Sequence, residues 1–347
     1  MKALCYHGPR SITYDSAPDP KLEDDRDVVI KTLACSICGS DLHIYHGFDF
    51  TDQTGFCVGH EVVGEVVEMG SAVRMLKIGD QVMIPGAISC GSCPQCLKGN
   101  TRRCVQGLQV YGQGRSQTSH QGSQAEAVRI PAADFNARRI PEGISAEQAL
   151  MLTDALPTAW LGCRNADIRP GVTVAIVGLG PIGLMAVQCA FALGAARVFA
   201  IDLVPERRAM AERFGAEPLE PAVARQAITE ATHGAMAECV VDAVGADATL
   251  ALALRLAGNE GTVSLIGVNT SQKFEFPVGR TLVNNLTFRA GLCSIQPFWP
   301  ELIPLVQQGR IRPEQVITHR LPLSQGEEAY RIFDGRLDGA LKMVLTP

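Results

Sequence analysis

The sequence predicts an α/β protein of two domains, one irregular and β-rich, the other a doubly wound parallel sheet. Three observations predict it. From about residue 172 onward, apolar strand-like runs alternate with helical patterns, as a parallel sheet covered by helices requires. The run 172–177 passes directly into Gly178-Leu179-Gly180-Pro181-Ile182-Gly183 and then into a helical pattern. The first third of the chain instead mixes Gly and Pro with short β runs. A length of 347 residues suits about two domains.

The elements follow in order. Asp27-Val28-Val29-Ile30-Lys31 reads as a strand after the polar loop 21–26, and residues 62–67 alternate like a sheet strand. Residues 82–85 and 124–130 are further short β runs. The character changes near Ile144. Ser145-Ala146-Glu147-Gln148 is a helix start, with Ser145 capping and Gln148 closing a capping box. Beyond it the strands are VTVAIVG, RVFAID, CVVDAVG and TVSLIG, with helices over 182–193, 205–214 and 248–256. A helix near 299–308 and a strand over 340–345 close the chain.

Composition narrows the function. The chain is 46% hydrophobic and 19% charged, enough to bury sizeable cores, and its formal net charge is −5. That balance, without a basic run, argues against nucleic acid as a partner. The first residues, MKALCYHGPR, hold no long apolar segment of a secretory signal. No stretch of about 18 uninterrupted apolar residues predicts a membrane span. Twelve cysteines without such a signal point to reduced thiols and metal ligands in the cytoplasm.

Cys90, Cys93, Cys96 and Cys104 stand in SCGSCPQCLKGNTRRC. Thiols at this spacing can converge on one tetrahedral ion, and Gly91, Pro94 and Gly99 supply the turns. Four thiolates fill every position of a Zn2+ ion, so this is read as a closed, structural zinc site. Two disulfides, or four unrelated thiols, are the alternatives. Lys98, Arg102 and Arg103 would offset the surplus negative charge.

The glycine run reads as a dinucleotide site. Gly178 permits the tight turn, Gly180 lets the backbone approach a pyrophosphate, and Gly183 lets the helix pack on the strand. The helix that starts at Pro181 offers the free N–H groups of its first turn, from Ile182 onward, to the anion. Asp202 ends the next strand, about twenty residues on. A carboxylate there accepts hydrogen bonds from ribose hydroxyls and repels a 2′-phosphate, so the expected cofactor is NAD. Arg207 is the complication, because a guanidinium there could meet a 2′-phosphate.

Cys38, His60 and Glu61 remain, at the ends of β runs in the first domain. Together with ICGSDLH, GHEVVGEV, CGSCPQCLKGNTRRC, LTDALPTAW and GLGPIG, in this order, they resemble the zinc-dependent alcohol dehydrogenases of the medium-chain dehydrogenase/reductase superfamily. The resemblance covers nearly the whole chain. It implies a GroES-like β catalytic domain, 1–155 and 293–347, and a Rossmann NAD-binding domain, 156–292. It implies two zinc ions per chain. Cys38, His60 and Asp154 match the ligands of the catalytic one. Glu61 matches the carboxylate beside that metal, either as an alternate ligand or as a partner that supports the ligands without touching the ion. Ser40 and His43 match the proton relay. Asp202 matches the ribose-binding acid, and Thr158 the residue at the nicotinamide. Lys342 falls where a basic residue meets the pyrophosphate, and Arg207, Ile266 and Cys293 fall at cofactor positions. Gly39 replaces an Arg that the family often has after the first ligand.

The implied activity is reversible oxidation of a primary or secondary alcohol with NAD, giving an aldehyde or ketone. QAEAVRIPAADFNARRIP followed by LTDALPTAW looks like the glutathione-independent formaldehyde dehydrogenase branch, so an aldehyde dehydrogenase or dismutase is the alternative. A non-catalytic nucleotide-binding protein is the alternative of another class. The resemblance also implies a homo-oligomer, commonly a tetramer. Cys5, Cys35 and Cys163 have no motif around them, Cys189, Cys239 and Cys293 suit core packing, and Cys57 is expected at the active cleft. His46 and His120 have no assigned partner. Phe48, Tyr111, Trp160, Phe298 and Trp299 are candidates for a substrate pocket or for the core.

Overall fold

The computed structural model describes residues 1–48, 53–107, 109–114, 121–269, 271 and 273–347. His120 lies outside the described residues. The chain divides into two compact units. The first holds Met1–Asp154, Ser294–Gln307 and Pro313–Pro347, and the second Ala155–Cys293 and Gln308–Arg312.

The first unit is built on a sheet in the order Arg138–Arg139, Gln81–Ile84, Glu61–Met69, Val28–Ile37, Lys342–Thr346, Ile317–Pro322, with Ala127–Ile130 also pairing on Val28–Ile37. A small sheet of Ser11–Ser16, Lys2–Gly8 and Phe56–Cys57 accompanies it. Val28–Ile37 is longer than the five residues read from sequence, and its inward side chains, Val28, Ile30, Cys35 and Ile37, join Val62, Val66, Ile84 and Met343 in one core. Register decides what meets at the strand ends. Ser36 lies opposite Glu61 on one side, and Ile37 opposite Met343 on the other. Two charged residues, Glu61 and Lys342, therefore flank the end of the central strand just before Cys38. The strand Ile317–Pro322 carries no strong alternation and was not expected. Its pairing with the final strand supplies the order that its own sequence lacks.

The second unit is a six-stranded parallel sheet in the order Glu217–Leu219, Arg197–Ile201, Thr173–Val177, Ala237–Asp242, Ala257–Leu265, Thr287–Ala290. The order reverses between Thr173–Val177 and Ala237–Asp242, the switch point at which dinucleotide-binding sheets take their ligand. Thr173–Val177 is buried over its last four residues, as a central parallel strand must be. The helices Pro181–Ala192, Pro205–Arg213 and Pro221–Ala231 each begin on proline, whose missing N–H costs nothing at a first helical position. The capping box of Ser145 and Gln148 is formed at the helix Ala146–Met151. No helix among the described residues is long and apolar enough to cross a membrane.

Candidate metal centres and nucleotide site

Cys38, His60, Glu61 and Asp154 each place a ligand atom within 4.8 Å of the others, and Cys90, Cys93, Cys96 and Cys104 do the same. All twelve cysteines are free thiols, so the disulfide alternative is not what the structure shows.

The four-thiol group is made by its own short segment. Cys93 caps the helix Pro94–Leu97. Backbone N–H groups of Cys90, Cys93 and Cys96 donate to the sulfurs of Cys104, Cys90 and Cys93 at 3.5, 3.4 and 3.5 Å. Such donors stabilise thiolates. Hydrogen bonds from the Val105 and Cys96 N–H groups bring the Cys93 thiol down to about 6. Burial first, and then the Cys93 thiol, pushes Cys96 up to about 12. Four sulfurs this close have the donor chemistry of a site for a dication.

The mixed group is gathered from distant segments. His60 Nε2 lies 3.3 Å from Asp154 Oδ2, and Cys38 Sγ lies 3.9 Å from the same oxygen. The ring is held from behind. Asp41, 1% exposed, takes His60 Nδ1 at 3.1 Å, the Cys38 N–H at 2.9 Å and the Gln124 amide at 3.2 Å. A proton on Nδ1 facing Asp41 leaves Nε2 as the lone-pair donor toward Cys38 and Asp154. Burial would lower the His60 pKa, but the charges of Asp41 and Cys38 and the hydrogen bonds to Asp154 and Asp41 outweigh it and raise it well above the usual value. Burial likewise opposes Asp154, yet hydrogen bonding and charge from His60 hold its carboxyl below the usual range. A buried group of thiol and carboxylates that draws positive charge so strongly has the donor chemistry of a cation site. Gly86 packs against it, since a Cβ there would come within 3.2 Å of His60 Cδ2 and 3.5 Å of Asp154 Cβ.

Glu61 is fully buried. The Ser36 hydroxyl and the Lys342 ammonium both donate to Oε2. Its Oε1 is buried without a hydrogen-bond partner among the described residues, the state of an oxygen with a coordination site left. Lys342 was expected near a pyrophosphate. It is instead 2% exposed, with Nζ on Glu61 and, at 3.2 Å, on the Ile37 carbonyl. Burial opposes its charge, but Glu61 and Cys38 outweigh that and raise its pKa.

The Ser40 hydroxyl donates to Cys38 Sγ at 3.4 Å and lies 3.5 Å from His60 Nε2. His43 is half-buried, its ring 6.0 Å from that of Phe48, and burial lowers its pKa. His46, without a role in the sequence reading, pairs with Asp334 at 2.7 Å. Cys57, expected at the active cleft, faces Cys5 in the small sheet instead. Tyr111 and Trp299 are buried at 1% and 3% exposure; the Trp299 indole donates to the Leu152 carbonyl, and both belong to packing. The sequence reading missed Asp41, although it lies within the quoted ICGSDLH run. It also missed Gln124, Ser36 and Gly86, which carry no local signal.

In the second unit, Gly178 has φ +88° and a Cβ on Gly183 would lie 1.8 Å from the Gly178 carbonyl oxygen. Among the described residues, apart from its two chain neighbours, none comes within 4 Å of a Cβ built on Gly180, so open space lies beside the N-terminus of Pro181–Ala192. A diphosphate fits that cradle. Asp202 accepts the Leu179 N–H at 2.7 Å and the Val204 N–H at 2.9 Å, and Arg207 Nη1 stands 3.9 Å from its Oδ2. Ile182 is half-buried, as is Thr158 on the helix Ala155–Asn165. Ile266 and Cys293 are buried at 6% and 4% exposure, and Ile266 packs against Gly162 of that helix.

Comparison with known proteins agrees with both units. A family model described as alcohol dehydrogenase GroES-like domain matches residues 24–142, and one described as zinc-binding dehydrogenase matches 181–308. A probable zinc-binding alcohol dehydrogenase of Mycobacterium tuberculosis is 41% identical over 100% of this chain and 89% of its own. An alcohol dehydrogenase from Thermus sp. ATN1 superposes with a TM-score of 0.94 at 36% identity, covering 100% of this chain and 99% of that one. A dehydrogenase of Sinorhizobium meliloti 1021, assigned as zinc-binding and solved with NADP bound, has a TM-score of 0.86 at 29% identity, covering 100% and 99%.

Proposed function

Because the chain belongs to the zinc-dependent alcohol dehydrogenases of the medium-chain dehydrogenase/reductase superfamily, we propose that it oxidises a primary or secondary alcohol with NAD, reversibly, using one catalytic and one structural zinc. The observation that carries this reading is the convergence of Cys38, His60, Glu61 and Asp154 beside the carboxylate of Asp41.

Cys38, His60 and Asp154 would hold the catalytic ion, and Cys90, Cys93, Cys96 and Cys104 the structural one. Zinc at the first position supplies Lewis acidity to the substrate oxygen, and NAD supplies the hydride acceptor. Asp41 fixes the His60 tautomer and, through the Cys38 N–H, the direction of the thiolate. Lys342 cancels the charge of Glu61, so the site does not carry a surplus carboxylate. Ser40, already bonded to Cys38 Sγ, takes the proton of the substrate hydroxyl. His43, which burial keeps neutral at ordinary pH, can accept it in turn. The cofactor choice rests on Asp202. Two backbone N–H groups fix its carboxylate at the end of Arg197–Ile201, where ribose hydroxyls find an acceptor and a 2′-phosphate meets like charge.

Zinc analysis and a coupled assay test this together. The expected result is two zinc ions per chain and NAD+-dependent oxidation of at least one member of an alcohol panel. Tighter binding of NADP+ than of NAD+ would overturn the cofactor assignment. Acid formation from an aldehyde with NAD+ would move the chemistry to an aldehyde dehydrogenase or dismutase. One zinc per chain with no turnover would leave a nucleotide-binding protein.

A further inference from the structure

We propose that Cys5 and Cys57 form a peroxide-reactive dithiol that closes to a disulfide between the strands Lys2–Gly8 and Phe56–Cys57. The two residues are directly opposed in antiparallel register, with their sulfurs 3.9 Å apart. The Val58 N–H donates to the Leu4 carbonyl at 3.0 Å, which marks Cys5 and Cys57 as a non-hydrogen-bonded pair. Such pairs hold their Cα atoms about 4.5 Å apart, inside the range of about 4.4–6.8 Å that a disulfide spans. Side-chain rotation alone can bring the sulfurs to bonding distance.

Both thiols are buried, at 5% and 2% exposure, but only just beneath the surface. Both thiols line a cleft of about 470 Å³ together with His7, Thr13, Asp15 and Gln121. His7 and Asp15 pair at 2.7 Å with side chains 45% and 41% exposed, so the cleft opens to water between polar groups. The size and polarity suit a small hydroperoxide. Hydrogen bonding from Cys57 lowers the pKa of Cys5, whereas the same contact and burial raise that of Cys57. Cys5 is also the less deeply buried of the two, at 5% against 2% exposure, so it is the attacking thiol and Cys57 the resolving one. The Cys5 thiolate attacks the peroxide O–O bond and becomes the sulfenic acid, releasing the alcohol or water. Cys57 then attacks that sulfur and expels water. Two electrons pass from the thiols to the peroxide. The new bond ties down a segment that reaches His60 three residues later.

The test uses the reduced, zinc-loaded protein and one equivalent of hydrogen peroxide. The expected result is the loss of two titratable thiols, a Cys5–Cys57 linked peptide in a non-reducing digest, and zinc retained. Zinc release with oxidation confined to the Cys90–Cys104 loop, while Cys5 and Cys57 remain open to alkylation after unfolding, would overturn the proposal. The order of attack has its own readout. Cys57→Ser should leave a sulfenic acid at Cys5 that dimedone traps, and Cys5→Ser should leave Cys57 unlabelled at the same dose. Equal labelling of Cys57 in Cys5→Ser would overturn the assigned roles.

Discussion

The two ligand groups of the first unit solve the same problem in opposite ways. Cys90 to Cys104 lie within 14 positions and draw their N–H donors from their own loop. Cys38 and Asp154 are separated by 116 positions, and His60, Glu61 and Asp154 each lean on a residue from another segment. The charge balance differs too. Four thiolates around a dication leave two negative charges over, which the loop meets with its own N–H groups. One thiolate and one carboxylate around a dication leave none, and Lys342 cancels the additional carboxylate of Glu61. The first arrangement is self-contained and closed. The second is near neutral and can accept a polar ligand at low electrostatic cost. On the proposed reading, holding a fold and running a reaction make these different demands on similar atoms.

The largest test of that contrast removes a closed ligand. Cys96→Ala should lose the structural ion and with it the order of its loop, because structural zinc binding carries about 10–16 kcal/mol of apparent free energy in small zinc-binding peptides. One zinc per chain, proteolysis within the Cys90–Cys104 loop and a lowered Tm are the expected outcomes. Asp154→Ala should do the reverse. Loss of several kcal/mol of Lewis-acid stabilisation amounts to about 10³-fold in kcat/KM or more, while Tm and the remaining zinc stay near their original values. Full activity in Asp154→Ala would break the ligand assignment. Equal losses of stability in both variants would erase the contrast.

What could be read from the chain follows the same division. The four-thiol loop is legible because its geometry is set by spacing alone. The Rossmann turn is legible because strand, glycines and helix are contiguous. The mixed group could be read only through resemblance, since nothing local says that Asp154 meets Cys38. The supporting residues were the least visible. Asp41 acts through a ring 19 positions away, and Gln124 reaches Asp41 only because the fold carries it there. Lys342 shows the limit most clearly. Its type and position suggested an anion contact. Register across the central strand gave it Glu61 as that anion.

Lys342 therefore offers the next test. Lys342→Met leaves Glu61 buried without its counter-charge, which should cost about 3–5 kcal/mol of stability in the metal-free protein. A carboxylate oxygen of Glu61 lies among the ligand atoms of the mixed group, so zinc should restore part of that loss by taking the lysine's place. A larger Tm gain on adding zinc than the unsubstituted protein shows would establish the exchange. Lys342→Met combined with Glu61→Gln should recover stability and lose the extra gain. An equal response to zinc in Lys342→Met and the parent would make the pair structural only.

The smallest effect tests the ring support. Asp41→Asn keeps the volume but replaces a carboxylate that serves three donors, the Cys38 N–H, the Gln124 amide and His60 Nδ1. An amide has one acceptor oxygen, so one donor is left facing an NH2 group. The imidazole then loses the charge that favours a proton on Nδ1, and Nε2 becomes a poorer donor. Zinc affinity at the mixed group should fall about 10–100-fold, with the four-thiol group unaffected because none of its bonds involves Asp41. Competition with a chelator separates the two ions by their order of release. Earlier loss of one zinc in Asp41→Asn, with the other leaving as before, ties the difference between the groups to this single support. Simultaneous loss of both ions at one chelator concentration would show that they are held as a unit.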